Sequence, residues 1–223
     1  LQAPIKRLVL NRMTSRQRAR QVFTEDDISP FHWVNTRPPD LSQSPEWLEL
    51  RDGGFRDFRL EIGGLVREPR SFSLEELKAI APQDQITMHT CMQGWTGIAK
   101  WSGVPLREVL ARVEPLEDAN YVMIESFGTA QHMHDGRPVE PYYTVLTRAM
   151  AMEDETILAW GMNGEPLPEM YGAPLRLRTE SMHGYKMVKW VRSVSWIRDY
   201  REIGDGMGGT REDSGYQDMD ARI

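Results

Sequence analysis

The chain holds a single cysteine, Cys91, among its 223 residues. One thiol can form no internal disulfide, no iron–sulfur cluster and no Cys-rich zinc site. The fold must therefore rest on hydrophobic burial, and this length allows one substantial core or at most two small ones. Hydrophobic residues make up 40% of the chain and charged residues 27%, the balance of an ordinary globular protein. The formal net charge of -6 disfavours a nucleic-acid partner, because phosphate neutralisation needs a basic surface. An anionic ligand would have to rely on a local cluster of Arg, Lys and backbone N–H groups. No apolar run is long enough to cross a bilayer, the sequence shows no signal-peptide core, and it begins at Leu1 rather than Met. A piece of a longer protein, without its leader, anchor or preceding domain, is the expectation.

The text changes character twice. Residues 1–27 are polar and read as a lead-in or linker, and residues 201–223, with GDGMGG and DSG, show no core pattern and read as an irregular tail. Between them, residues 28–200 read as one α+β domain. Four prolines between Ile28 and Pro45 exclude regular structure, and the aromatics among them predict a loop laid over the body. Strands are expected over Phe58–Ile62, Gln85–Thr90, Tyr121–Ser126, Thr156–Trp160, Pro174–Thr179 and Val188–Ile197. Ser73 and Glu76 form a capping-box pattern ahead of LEELKAI. Helices are also expected over Pro105–Val113 and Thr144–Met152.

Two segments carry chemistry. In the first, Cys91 ends a strand and enters a loop containing Gly94, Trp95 and Gly97, where a thiol points either into a core or into a pocket as a single metal ligand. In the second, Arg176 and Arg178 alternate onto one face of PLRLRT, and Lys186 and Lys189 follow Gly184. Clustered cations beside glycines suit a phosphate or pyrophosphate, since Arg offers a planar fork and Gly lets backbone N–H groups approach. A solvated strand face would show the same residues.

Taken together, DFRLEIGGLVREPRSFSLEEL, Cys91 with Trp95 and Trp101 followed by GVPLREVL, and TILAWGMNGEPLPEMYGAPLRL followed by GYKMVKWVRSVSWI resemble, in order and spacing, the molybdopterin-binding domain of sulfite oxidase-type oxidoreductases. The compact methionine-sulfoxide reductase catalytic subunit branch is the nearer one. The resemblance implies a single domain of mixed β-sheets with short helices, holding a Mo-molybdopterin cofactor. It implies Cys91 as the molybdenum ligand and a cofactor-contacting loop with His32, Trp33 and Asn35. Ser126, Tyr171, Arg176, Lys186, Met187, Val188 and Lys189 are implied as further cofactor contacts; Tyr142 and Tyr143 lie near the family's active-site tyrosine, and Tyr143 is expected to fill that role.

The implied reaction is oxygen-atom transfer on a small or sulfur-containing substrate, either sulfoxide reduction or a sulfite oxidase-like oxidation. Electrons would be exchanged with a haem or flavin partner, such as a membrane cytochrome, because no C-x-x-C-H haem motif is present. By resemblance alone the protein is expected outside the cytoplasm or tethered to a membrane, and as a monomer. Val34 and the MQGW after Cys91 replace arginines found in sulfite oxidases, and Tyr171 stands where relatives have His or Asn. Two rival readings remain: a pterin- or anion-binding domain without redox chemistry, and a zinc hydrolase built on histidines such as His132 and His134.

Overall fold

The structure, a computed structural model, describes residues 22–35, 37–40, 44–130, 140–180 and 182–216. Thr36, the His132–His134 segment and most of the polar lead-in lie outside the described residues.

Alternating apolar residues build two five-stranded sheets. In the first, β1 (Arg59–Gly64) lies between β2 (Arg70–Ser73) and β10 (Val191–Ile197), and β5 (Tyr121–Ala130) and β6 (Glu140–Thr147) follow. The β1–β10 pairing is parallel and joins chain segments more than a hundred residues apart; the other pairs in this sheet are antiparallel. The second sheet contains β3 (Gln83–Thr90), β4 (Thr96–Pro105), β7 (Thr156–Met162), the two-residue β8 (Glu165–Pro166) and β9 (Arg176–Thr179), which pairs with β7. One core cluster takes in Leu60, Ile62, Val122, Ile124, Val194 and Trp196 from the first sheet and Val104, Leu158 and Leu177 from the second. That shared burial is what joins the two sheets, since apolar area removed from water drives the association.

The helices are short: α1 (Pro45–Asp52), α2 (Leu74–Lys78), α3 (Leu106–Leu110), α4 (Arg148–Ala151) and α5 (Thr210–Asp213). The capping box at α2 forms as its residues require, with Ser73 Oγ accepting from Glu76 N and Glu76 accepting from Ser73 N. Among the described residues no helix is long and apolar enough to cross a membrane.

Four local expectations are corrected. Thr144–Thr147 is not helical: it completes β6 against Tyr121–Ile124, and only Arg148–Ala151 turns into helix, with Thr147 as its N-cap. Gly97 lies not in the Cys91 loop but in β4, because Thr96 already pairs with Thr90 and opens that strand. Strand β10 begins at Val191, as Trp190 has φ 53, a left-handed backbone that interrupts a strand. Finally, residues 204–216 are built into the body. Val145 N donates to Gly208 O at 2.9 Å, Thr144 bridges Gly209, and Glu212 forms an ion pair with Lys186 in which neither side chain reaches solvent.

Candidate active site

Strands β3 and β4 form a hairpin whose loop carries Cys91. Cys91 N donates to Trp95 O at 2.9 Å and Gly94 N donates to Cys91 O at 3.0 Å, a tight turn that needs the positive φ of 92 at Gly94. The sulfur is thereby held at the end of a rigid hairpin, 8% exposed. Two N–H groups aim at it, Asn35 Nδ2 and Gln93 N, each 3.5 Å from Sγ. Donors of this kind favour negative charge on sulfur.

Cys91 lies on the wall of a cavity of about 510 Å³. The opposite wall comes from β9 and the turn before β10. Alternation along β9 sends Leu177 into the main core and Arg176 and Arg178 to the other face, where their guanidinium groups lie 4.8 and 4.3 Å from the Trp101 ring centre. Gly172, at φ 120, brings Arg176 and Lys189 together: a Cβ there would meet Arg176 Cβ at 3.0 Å and Lys189 Cβ at 3.1 Å. Arg176 and Lys189 both face the cavity. Arg176 Nη1 donates to Tyr171 O at 2.9 Å, while its buried Nε has no partner among the described residues. Burial, and next the neighbouring Arg176, lowers the Lys189 ammonium to about 7.

Histidines complete the floor. His32 Nδ1 lies 3.3 Å from Trp33 O, and the ring meets Trp95, Trp101 and Tyr171 edge-on at 5.8 to 5.9 Å. Burial first, then Arg178 and Arg176, pushes His32 down to about 4, so it is neutral at pH 7. Burial also drives His89 strongly down, with Arg178 and Arg176 adding to the effect. Tyr171 Oη donates to His32 O at 2.6 Å and ties the proline-rich loop to the second sheet.

His32, Trp33, Asn35, Cys91, Ser126, Tyr171, Arg176, Met187, Val188 and Lys189 thus line one cavity. Ser126 Oγ donates to Lys189 O at 2.6 Å and accepts from Gly128 N at 2.8 Å, so it orders the cavity wall. The Met187 and Val188 N–H groups are engaged within their own turn, by Gly184 O and Lys186 O.

Three of the cationic and aromatic expectations need correction. Lys186 is fully buried away from the cavity, where its ammonium donates to Val145 O and Gly208 O and pairs with Glu212. Tyr143 also turns away: its hydroxyl bonds to Asp213, and burial raises it well above the usual phenol range. Neighbouring Tyr142 lines the cavity instead, because adjacent residues of a strand face opposite sides. Arg178 stays behind the cavity wall, bound to Glu180 and His89.

Sequence reasoning passed over His89, Gln93 and Arg211 as wall residues. His89 had a signal: it is the penultimate residue of β3, two residues before Cys91, the spacing at which strand side chains share a face. Arg211 had none, because it comes from the tail. Among the described residues no group of three or more His, Cys, Asp or Glu side chains is placed to hold a metal, and the His132–His134 motif lies outside them.

Gly184 is a sensitive point of the wall. A side-chain carbon added there would run into the His89 ring. Gly184→Ala is expected to cost about 1–3 kcal/mol through overpacking, read as a lower denaturation midpoint. A midpoint equal to that of the parent protein would show that the ring has room to yield.

Comparison with known proteins follows this geometry. Residues 49–202 match the family described as the oxidoreductase molybdopterin binding domain. The putative protein-methionine-sulfoxide reductase subunit YedZ1 of Azospira oryzae is 35% identical over 197 residues, covering 87% of this chain and 68% of that protein. The protein-methionine-sulfoxide reductase catalytic subunit MsrP of Xanthomonas axonopodis pv. citri is 34% identical over 176 residues, covering 77% of this chain and 53% of that protein. Among solved structures, the sulfane dehydrogenase SoxCD from Paracoccus pantotrophus aligns with a TM-score of 0.56 at 21% identity, covering 86% of this chain and 55% of that one. That likeness is one of fold. The chain spans about half the length of the MsrP and SoxCD chains it matches.

Proposed function

Because the chain belongs to the oxidoreductase molybdopterin binding domain family, we propose that its cavity seats a molybdenum–pterin cofactor on Cys91 and serves oxygen-atom transfer on a sulfur-containing substrate. Sulfoxide reduction is the direction favoured, since the relatives at 34–35% identity are named for protein-methionine-sulfoxide reduction. One observation carries the reading: a lone thiol with two N–H donors faces the same cavity as Arg176 and Lys189.

The residues present fit such a group. Around the cavity, buried polar atoms without a protein partner include Arg176 Nε, His32 Nε2 and Trp95 Nε1. Unmet buried donors and acceptors are costly, and a heterocycle rich in polar edges would satisfy them. Cys91 would provide one soft anionic ligand, with Asn35 and Gln93 N–H stabilising its charge. Arg176 and Lys189 would hold the cofactor's phosphate, Arg as a fork and Lys as a point charge. When bound, the cofactor supplies a two-electron couple and a site at which an oxygen atom is gained or lost. The chain's own residues position it, exclude water from the floor with Trp95, and leave Tyr142 and Arg211 on the remaining wall.

Electron supply by a separate haem or flavin protein, such as a membrane cytochrome, belongs to the same proposal, as does a place outside the cytoplasm. A relative named as a catalytic subunit supports a partner of some kind.

The test is elemental analysis with pterin fluorescence on protein from its native host, followed by turnover of methionine sulfoxide with a reduced dye. Molybdenum near one per chain with turnover is expected. Zinc in its place would favour the hydrolase, and pterin without turnover of any oxyanion or sulfoxide would favour the non-catalytic domain.

Lys189 gives the site a pH dependence. A bound phosphate favours the charged ammonium, so the folded protein free of ligand, with this group at about 7, binds best below that value. Affinity for the pterin should be flat below pH 7 and weaken above it, by up to about tenfold per pH unit until the ligand-bound ammonium also titrates. Lys189→Met should bind more weakly and remove the slope. An unchanged slope in that variant would assign the titration elsewhere.

A further inference from the structure

Arg176 and Arg178 leave β9 on the same face, yet only Arg176 reaches the cavity. Arg178 is completely buried. Glu180 grips it with two oxygens, Nε to Oε1 at 2.9 Å and Nη2 to Oε2 at 2.6 Å, and Gln85 Nε2 donates to the same carboxylate at 2.9 Å from β3. The remaining prong, Nη1, lies 2.9 Å from His89 Nδ1. A guanidinium has donors and no acceptor. His89 Nδ1 must therefore present its lone pair, which places the ring hydrogen on Nε2 and excludes the doubly protonated form in this arrangement.

The ring is fixed on its other sides as well. Trp95 stacks on it with centroids 5.2 Å apart and planes 27° apart, and the Gly184 backbone lies beside the ring at Nε2 and Cε1, with no side chain between them. Among the described residues the contact from Arg178 is the ring's one hydrogen bond, while the ring lines the cavity that holds Cys91. A buried ion pair is seldom a strong source of net stability and is often replaceable by apolar residues. Here its free prong ends on a cavity-lining imidazole, the arrangement that orients a ligand's partner from behind.

We propose that His89 is a fixed hydrogen-bond donor, through Nε2–H, to an acceptor atom of the heterocyclic cofactor in the cavity, with Arg178 and Glu180 as positioning residues that set its tautomer. The proposal rests on the reading of the cavity as a pterin seat. Neither arginine is interchangeable with the other: Arg176 meets the ligand, and Arg178 acts through the histidine.

Two measurements on the cofactor-loaded chain test it. Long-range 15N–1H correlation on histidine-labelled protein should show the Nε2–H tautomer at His89, and Arg178→Met should abolish that preference. If Arg178→Met fails to fold, Glu180→Gln addresses the same link by loosening the guanidinium. Pterin release, followed by fluorescence, should be at least about tenfold faster in His89→Phe, which keeps the stack on Trp95 but has no donor, than in His89→Gln, which retains an amide N–H. Equal release from His89→Phe and the unsubstituted protein would overturn the donor role. An Nδ1–H tautomer in protein with full pterin content would overturn the positioning scheme alone. Host-derived protein without pterin would instead overturn the cofactor reading and the donor role together.

Discussion

Cys91→Ser is expected to abolish turnover while leaving the fold and much of the pterin in place. The thiol contributes little to packing, because it sits at a hairpin end on a cavity wall, and the β3–β4 pairing that holds the loop is made by backbone groups. The pterin would keep its contacts with Arg176 and Lys189. What disappears is the soft anionic ligand, and a serine hydroxyl does not replace it. The fall in kcat should exceed the roughly 10- to 100-fold typical of losing an outer partner of a metal ligand. Asn35→Ala, which removes the 3.5 Å donor to the sulfur, is expected to fall within that smaller range. Steady-state kinetics with molybdenum content and far-ultraviolet circular dichroism would separate the two effects. Full activity of Cys91→Ser would remove Cys91 from its role.

Lys186→Met is expected to produce the largest loss of stability, about 3–5 kcal/mol, because it strands Glu212 as an unpaired charge in the interior. The side chain of Lys186 is fully buried, and its ammonium also bonds two carbonyl oxygens, Val145 O and Gly208 O. Burial raises the Glu212 carboxyl, and Lys186 is the main influence pulling it back down. Without the lysine, the folded value, already raised by burial, should rise further, so the folded state holds the extra proton over a wider pH range. The variant should then lose stability as pH rises from the unfolded carboxyl value through the folded one. It should unfold more readily at pH 8 than at pH 5. The double replacement Lys186→Met with Glu212→Leu should recover most of the loss, since matched apolar residues often substitute for a buried pair. Chemical denaturation at both pH values measures each step. A single variant as stable as the parent at pH 8 would mean that water reaches Glu212.

The same pair explains why the C-terminal segment was illegible as structure. GDGMGG carries almost no apolar pattern, and periodicity is the main signal of a buried segment. The segment is held by polar and backbone contacts: Thr210 accepts from Tyr143 N, Asp213 meets Tyr143 and Met207 N, and Glu212 meets Lys186. Each partner lies far away in sequence or has no distinctive spacing. Arg211, carried on this segment, consequently reached the cavity wall without announcing itself. The exchange of Tyr142 for Tyr143 has a different cause. Reading residues 144–152 as helix left the strand parity at 142 and 143 undetermined, and a one-residue change of parity turns a side chain to the opposite face.

What could be read from the chain alone was local. The Ser73–Glu76 cap, the alternation in β9 and β10, and the placing of Cys91 at a strand end all depend on neighbours within a few residues. Family likeness extended that reading to Asn35, Arg176 and Lys189. Their meeting place was decided only by tertiary structure, because positions 35, 91, 176, 189 and 211 reach one cavity through sheet pairing and shared burial across distant segments. So were the opposite fates of the paired cations: Arg176 and Lys189 remain at the ligand wall, whereas Glu180 and Glu212 draw Arg178 and Lys186 into the interior. An isolated cation gives no sign of which carboxylate the fold will bring beside it, and in a low-dielectric interior that carboxylate decides where the cation can stay.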